Sequence, residues 1–198
     1  MAKSKDDSRR KYRTEDLARS AAIYGLSDKF DIFEQVNLMG LDDNAMRIDA
    51  VARCLDTGWM IGLEFKKSHL FMSEFSKAIR QAIHYRISEI NDKRFPEYIG
   101  CRLPAIALFP DWLGEHDDDV TSYLKESEGM RIVAEKFRVG TMREMNKGRI
   151  SFIMGQAAIW HSSTGWTKNA ESVLFGDIGF ASVRKKDNRI NPILPEYY

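Results

Sequence analysis

Cysteine and histidine are scarce in this 198-residue chain, with two of the first and four of the second. Cys54 stands in an expected strand and Cys101 just before another, as small core residues do. Two thiols are too few for a disulfide scaffold or a zinc site. The histidines, His69, His84, His116 and His161, show no metal-ligand spacing. No apolar run is long enough to cross a bilayer, and no secretory hydrophobic region follows Met1-Ala2-Lys3. A soluble, intracellular protein, cytoplasmic by default and without a membrane partner, is expected. There is no internal repeat. A net charge of +1 also lacks the overall basic excess common among nucleic-acid binders, so the distribution of charge carries the information.

With 43% hydrophobic residues, the chain can bury one substantial core. A single domain over residues 14–183 is expected, preceded by a basic flexible arm at 1–13 and followed by an extended tail at 184–198. Positive residues cluster in that arm (Lys3, Lys5, Arg9, Arg10, Lys11, Arg13), at Lys66-Lys67, and at Arg184, Lys185, Lys186 and Arg189. Such clusters suit phosphate neutralisation, although a solvated arm explains the first equally well. Glu115-His116-Asp117-Asp118-Asp119 precedes a helical pattern, and an acidic first turn accounts for it better than a metal does.

The most informative segments are Arg47-Ile48-Asp49-Ala50-Val51 and Gly62-Leu63-Glu64-Phe65-Lys66-Lys67. Both alternate as strands do. Trp59, Ile61, Leu63 and Phe65 would enter a core, leaving Gly62, Glu64 and Lys66 on the opposite face. In the earlier strand, Met46, Ile48, Ala50, Ala52 and Cys54 would share one face, with Arg47, Asp49, Val51 and Arg53 on the other. Asp56-Thr57-Gly58 suits a hairpin turn. A two-residue loop, Thr57-Gly58, would set Asp49 opposite Lys66 and diagonal to Glu64. A four-residue loop, Leu55 to Gly58, would set Asp49 opposite Glu64, with Cα atoms about 4.5–5.5 Å apart. Two carboxylates that close need a positive charge between them. All-oxygen ligands favour Mg²⁺ or Mn²⁺, and a neighbouring lysine can orient or deprotonate water or stabilise charge on a phosphate.

Asp49…Glu64-Phe65-Lys66 resembles the signature of the PD-(D/E)XK nuclease superfamily, with Ile48 standing where the signature's name has proline. The resemblance implies a metal-dependent nuclease hydrolysing phosphodiester bonds. Asp49 and Glu64 would be metal ligands, the main-chain carbonyl of Phe65 a further ligand, and Lys66 the catalytic lysine. The helical pattern from Ser73 to Ile90 places Gln81 and Tyr85 on one face, four residues apart. That Gln-x-x-x-Tyr looks like the additional motif of the RecB-like branch, where the two residues face the active site and nucleic acid.

The resemblance also implies an α/β fold with an αβββαβ core, a mixed sheet flanked by helices. The opening helix would run from Thr14 to Tyr24, with Thr14 as N-cap and Leu17, Ala18, Ala21 and Ala22 inward. Phe33 to Met39 would be the first strand, and Leu103 to Pro110 a strand buried on both faces and parallel to the Glu64 strand. In many members a glutamate of the first helix reaches the metal. Glu15 is the candidate, with Asp16 and Glu34 competing. Between Arg149 and Trp166 two further strands are expected, with Ser162 to Gly165 turning and Trp160 or Trp166 either packing in the core or stacking on a base. The expected partner is nucleic acid, DNA ahead of RNA, and a homodimer is compatible with such an enzyme. The rivals are an RNA endonuclease on the same core and a non-catalytic nucleic-acid- or protein-binding module.

Overall fold

The computed structural model describes residues 12–67, 72–111, 129–145, 148–155 and 157–175. Helix α1 (Glu15–Leu26) leads into strands β1 (Phe30–Met39), β2 (Ala45–Cys54) and β3 (Met60–Phe65). Helix α2 (Met72–Ile87) follows, then β4 (Glu89–Ile90), β5 (Ile106–Phe109), β6 (Val139–Glu144), β7 (Ile150–Met154), β8 (Ala157–His161), β9 (Gly165–Trp166) and helix α3 (Ala170–Phe175). Residues 129–136 are also helical. The strands form one sheet in the order β4-β1-β2-β3-β5-β6-β7-β8-β9. It is mixed: β3, β5 and β6 run parallel, and all other neighbours are antiparallel. The protein is therefore mixed α/β, as its patterning suggests.

Alternation along β3 and β5 divides the core in two. Ile61, Leu63, Phe65, Ala105, Ala107 and Phe109 pack with Ala18, Ala22 and Leu26 of α1. Met60, Ile106 and Leu108 pack with Phe75, Ala78, Ile79, Ala82 and Tyr85 of α2. The sheet is thus covered on both faces, which explains why every residue of β3, Glu64 included, is buried.

Several expected boundaries move. Thr14 caps α1 by accepting the Leu17 N–H at 3.2 Å, but Leu17 itself is 51% exposed because the stripe Ala18–Ala22–Leu26 faces the sheet. The first strand begins at Phe30 rather than Phe33. Helix α2 stops at Ile87, where Ser88 turns its hydroxyl back onto the His84 carbonyl at 2.6 Å. Ile90 then reaches the core as a strand residue paired with Leu38. The strand expected over Leu103 to Pro110 is regular only over Ile106–Phe109. Both expected C-terminal strands are present as β7 and β8, while β6 and the helical residues before it are additions to the expected elements. Trp160 is 1% exposed among Phe30, Phe152 and Trp166, so it is a core residue. Trp166 packs against Phe30, Trp59 and Trp160, and donates to Cys54 Sγ at 3.3 Å. Tyr12, in the segment expected to be a flexible arm, is buried edge-on against Phe109. Residues 1–11, the 115–119 cluster and the tail at 184–198 lie outside the described residues.

Candidate active site

The hairpin between β2 and β3 sets the site. Cys54 N–H bonds to the Trp59 carbonyl at 2.8 Å and Gly58 N–H to the Cys54 carbonyl at 2.9 Å, closing a four-residue loop from Leu55 to Gly58. Gly58, with φ of +73°, occupies the left-handed region that the turn requires. Register then runs Arg53↔Met60, Ala52↔Ile61, Val51↔Gly62, Ala50↔Leu63. Asp49 and Glu64 are the next facing positions, where the pairing of β2 with β3 ends. The two-residue loop, which would have opposed Asp49 and Lys66, does not occur. Asp49 Oδ2 accepts the main-chain N–H of Phe65 at 2.8 Å, so a side chain replaces the ladder partner that the departing strand no longer supplies.

Simple alternation along β2, expected from sequence, fails at this point. Ala50, Ala52 and Cys54 pack on the α1 side, but Ile48 packs with Val36 and Leu38 on the α2 side, and Met46 joins them. Two residues apart, Ile48 and Ala50 face opposite ways, and Asp49 is where the change occurs. The paired strand changes face at the matching place: Phe30 and Ile32 lie on the α1 side, Val36 and Leu38 on the other. Between them Gln35 has φ of +52°, a left-handed conformation that a non-glycine residue adopts at a cost. Arg94 holds that kink. It donates to the carbonyls of Glu34 (2.9 Å) and Gln35 (3.0 Å) while gripping Asp92 through Nε and Nη2. Asp92 in turn accepts the Asn37 N–H at 3.1 Å.

Glu64 and Lys66 leave β3 on the α2 side of the sheet. Lys66 Nζ lies 2.5 Å from Glu64 Oε1. The second oxygen, Oε2, is buried without a hydrogen-bond partner. Burial pushes the Glu64 carboxyl up to about 7, and neighbouring Asp49 adds to the rise against the opposing pull of Lys66. For Lys66, burial works to lower the ammonium pKa, but Glu64, Glu15 and Asp49 outweigh it and raise it above the ordinary lysine value. Lys66 is accordingly a cation and a hydrogen-bond donor at neutral pH.

Helix α2 brings the glutamine–tyrosine pair against this face. Gln81 Nε2 donates to Tyr85 Oη at 2.5 Å. Burial, then the charges of Glu64 and Asp49, push the Tyr85 phenol up to about 12, so it stays protonated. Glu15 stands at the N-terminus of α1, 3.9 Å from Lys66 Nζ and with 60% of its side chain exposed. It meets the site through that lysine. Its competitors are engaged elsewhere, Asp16 and Glu34 both pairing with Arg19. The Phe65 ring is buried on the α1 side, so only its main chain borders the site. Among the described residues no group of three or more His, Cys, Asp or Glu is spaced to hold a metal ion. The carboxylate set is therefore the pair Asp49 and Glu64.

His84 is exposed on α2. His161 Nδ1 bonds the buried Ser151 hydroxyl at 2.8 Å. His69 and His116 lie outside the described residues. The sequence reading missed Gln35, Asp92 and Arg94, which shape the strand beneath Asp49. It also missed a second polar cluster, Asp111 with Arg131 and Arg143. No helix among the described residues is long and apolar enough to cross a membrane. Compared with known proteins, the chain matches no family model, no curated protein and no solved structure.

Proposed function

We propose that the protein is a metal-dependent nuclease of the PD-(D/E)XK superfamily with a restriction-endonuclease-like core. Its substrate would be the phosphodiester bonds of nucleic acid, DNA ahead of RNA. The observation that carries the reading is the buried Oε2 of Glu64, which has no hydrogen-bond donor, on a carboxylate that has Asp49 for a neighbour where the pairing of β2 with β3 ends. An orphaned carboxylate oxygen at such depth is costly unless a cation fills its coordination. The order helix, three antiparallel strands, helix, parallel strand supports the same reading, interrupted by the two-residue β4 and the single 3-10 turn Pro96–Tyr98.

The donor set is all oxygen and suits Mg²⁺ or Mn²⁺. Asp49, Glu64 and the Phe65 carbonyl would hold the ion, and Glu15 at the rim is a further candidate ligand. The bound cation supplies Lewis-acid stabilisation of charge on the phosphate and acidifies water. Lys66, kept protonated by its acidic neighbours, donates a hydrogen bond that orients the attacking water or the non-bridging phosphate oxygen. Its raised pKa makes it a poor base, so the proton lost by water leaves to solvent or to phosphate. Water oxygen bonds to phosphorus, the P–O bond to the leaving group breaks, and that oxygen takes a proton. Gln81 and Tyr85, both hydrogen-bond donors at neutral pH, would orient the substrate.

Incubation with Mn²⁺ and supercoiled, linear, branched and single-stranded DNA and RNA tests the activity, and calorimetry tests the ion. Cleavage that disappears in both Asp49→Ala and Glu64→Ala is expected, together with Mn²⁺ binding lost in Glu64→Ala. Mn²⁺ affinity equal in parent and Glu64→Ala, or undiminished cleavage by either variant, would refute it. Oligonucleotide binding without any cleavage would favour the non-catalytic module.

A further inference from the structure

We infer that Arg143, assisted by Arg131, is a phosphate-binding site for the polynucleotide strand beside the Asp49–Glu64–Lys66 centre. The substrate class rests on the nuclease reading above. Asp111, just beyond β5, is the hub. Its side chain is only 3% exposed and takes Arg131 on Oδ1 and Arg143 on Oδ2. Arg143 reaches Oδ2 with both Nε and Nη2, each at 2.7 Å. One arginine in that geometry already neutralises a carboxylate. A second leaves one unit of positive charge over, on side chains that remain 18% (Arg131) and 38% (Arg143) exposed. A guanidinium has five N–H donors, so Arg143 keeps donors beyond those spent on Asp111.

Strand register places this charge. Lys66 N–H bonds to the Phe109 carbonyl at 2.8 Å, at the end where Phe65 faces Phe109. Leu108 faces Thr141 on β6. Lys66 and Arg143 thus lie beyond these last paired residues, at the same end of the sheet and on the two strands that flank β5. Adjacent strands lie about 4.8 Å apart, so Arg143 starts roughly 10 Å across the sheet from Lys66. Its face follows from its neighbours. Val139 packs on the α2 side and Met142 on the α1 side, which leaves Arg143 on the α2 side, where Glu64 points. On the opposite flank, exposed Arg47 is near enough to act on Tyr85. Arg143 thus stands beside the acidic notch on its own face, and Arg47 lies at the same end of the sheet. A polyanion crossing two carboxylates needs such charge beside them, and nucleic acid carries a phosphate about every 3.4 Å of rise per strand. Arg143 would take a phosphate a few nucleotides from the one that reacts.

The test is binding of a fluorescent single-stranded DNA and an RNA of equal sequence, in EDTA so that nothing is cut, across a salt series. Arg143→Gln should weaken both by about tenfold and flatten the slope of log affinity against log salt by roughly 0.7. Arg143→Lys should recover most of the slope, since the charge returns without the fork. The triple variant Asp111→Asn, Arg131→Gln, Arg143→Gln removes the carboxylate with both of its cations, so it leaves no buried charge unpaired while deleting the surplus positive charge, and it should lose the same slope. Unchanged affinity and slope in that triple variant would make the cluster a mere brace between β5, β6 and the helical residues 129–136. A parent that binds neither oligonucleotide would equally overturn the assignment. A parent that binds through Arg143 but never cleaves would sink the nuclease reading and leave this site standing.

Discussion

Asp49 Oδ2 accepts the Phe65 main-chain N–H at 2.8 Å, a bond that ties the acid of one strand to the backbone of the next. One carboxylate oxygen thus does a structural task and leaves the other for the notch. Asparagine can keep the acceptor but not the charge; alanine keeps neither. Asp49→Asn should therefore melt close to the parent, while Asp49→Ala loses about 1–2 kcal/mol for the orphaned N–H. Both should cut nucleic acid at least about a hundredfold more slowly, the loss expected when a charge that stabilises the transition state is removed. Chemical denaturation and a cleavage assay on the same two proteins separate the roles.

The raised pKa of Glu64 has a definite sign for stability. Its ordinary value is 4.5 and its folded value about 7. The folded state holds this proton more tightly than the unfolded chain, so the contribution is complete below 4.5 and disappears as pH rises through 7. In metal-free buffer the parent should lose stability over that window relative to Glu64→Gln. The difference should reach a few kcal/mol at most, at about 1.4 kcal/mol per pKa unit. Mn²⁺ requires the ionised form, so its affinity should climb through neutral pH with proton release, measurable by calorimetry in buffers of different ionisation enthalpy. A parent and a Glu64→Gln variant with parallel stability profiles would contradict the shift.

The contrast between Glu64 and Asp49 shows which parts of this molecule are legible in sequence. Glu64 was placed correctly because β3 alternates without interruption, and Ile61, Leu63 and Phe65 all pack as period two demands. The sequence is compatible with both a two-residue and a four-residue loop, since turn residues alone do not fix register. Asp49 reached the right neighbourhood although the face assigned to Met46 and Ile48 was wrong. That error has a cause three-dimensional in origin: the kink at Gln35 depends on Arg94, 59 residues away in sequence. Nothing local to Phe30–Met39 announces it, because glutamine is not a residue that asks for positive φ. Arg143 was missed for the same reason, its meaning resting on Asp111 and on a parallel register with β5.

Gly62 gives a test of how tightly β3 packs against its neighbours on the α2 face. A Cβ there would sit 2.5 Å from Ile106 Cδ1 and 2.7 Å from Ile48 Cδ1. Both isoleucines are fully buried, so neither can swing into open space. Gly62→Ala should cost about 1–3 kcal/mol as an overpacked core. Ile48 adjoins Asp49, so the same substitution should also weaken Mn²⁺ binding. Adding Ile106→Val, which shortens the nearer side chain, should recover part of the stability. Additive losses in the double variant would show that the contact is not what makes glycine necessary.

Arg94 and Gln35 provide the complementary test from the far side of β2. Arg94→Ala frees two carbonyls and leaves Asp92 without its ion-pair partner, at a cost of about 1.5–3 kcal/mol for bonds to a charged group. Arg94 holds the Asp92 carboxyl well below the usual carboxylate range, so the stability it lends is present above pH 4 and fades as pH falls below it. That acid-side loss should be smaller in Arg94→Ala, which has less to lose. At Gln35, glycine should be tolerated within about 1 kcal/mol, because relief of the left-handed strain offsets its greater chain entropy. Gln35→Val should cost about 1–2 kcal/mol, since a β-branched residue resists φ of +52°. If the kink positions Asp49, Gln35→Val and Arg94→Ala should both raise the Kd for Mn²⁺ while Gln35→Gly leaves it near the parent's. Equal Mn²⁺ affinity in all three would reduce the kink to a feature of β1 alone.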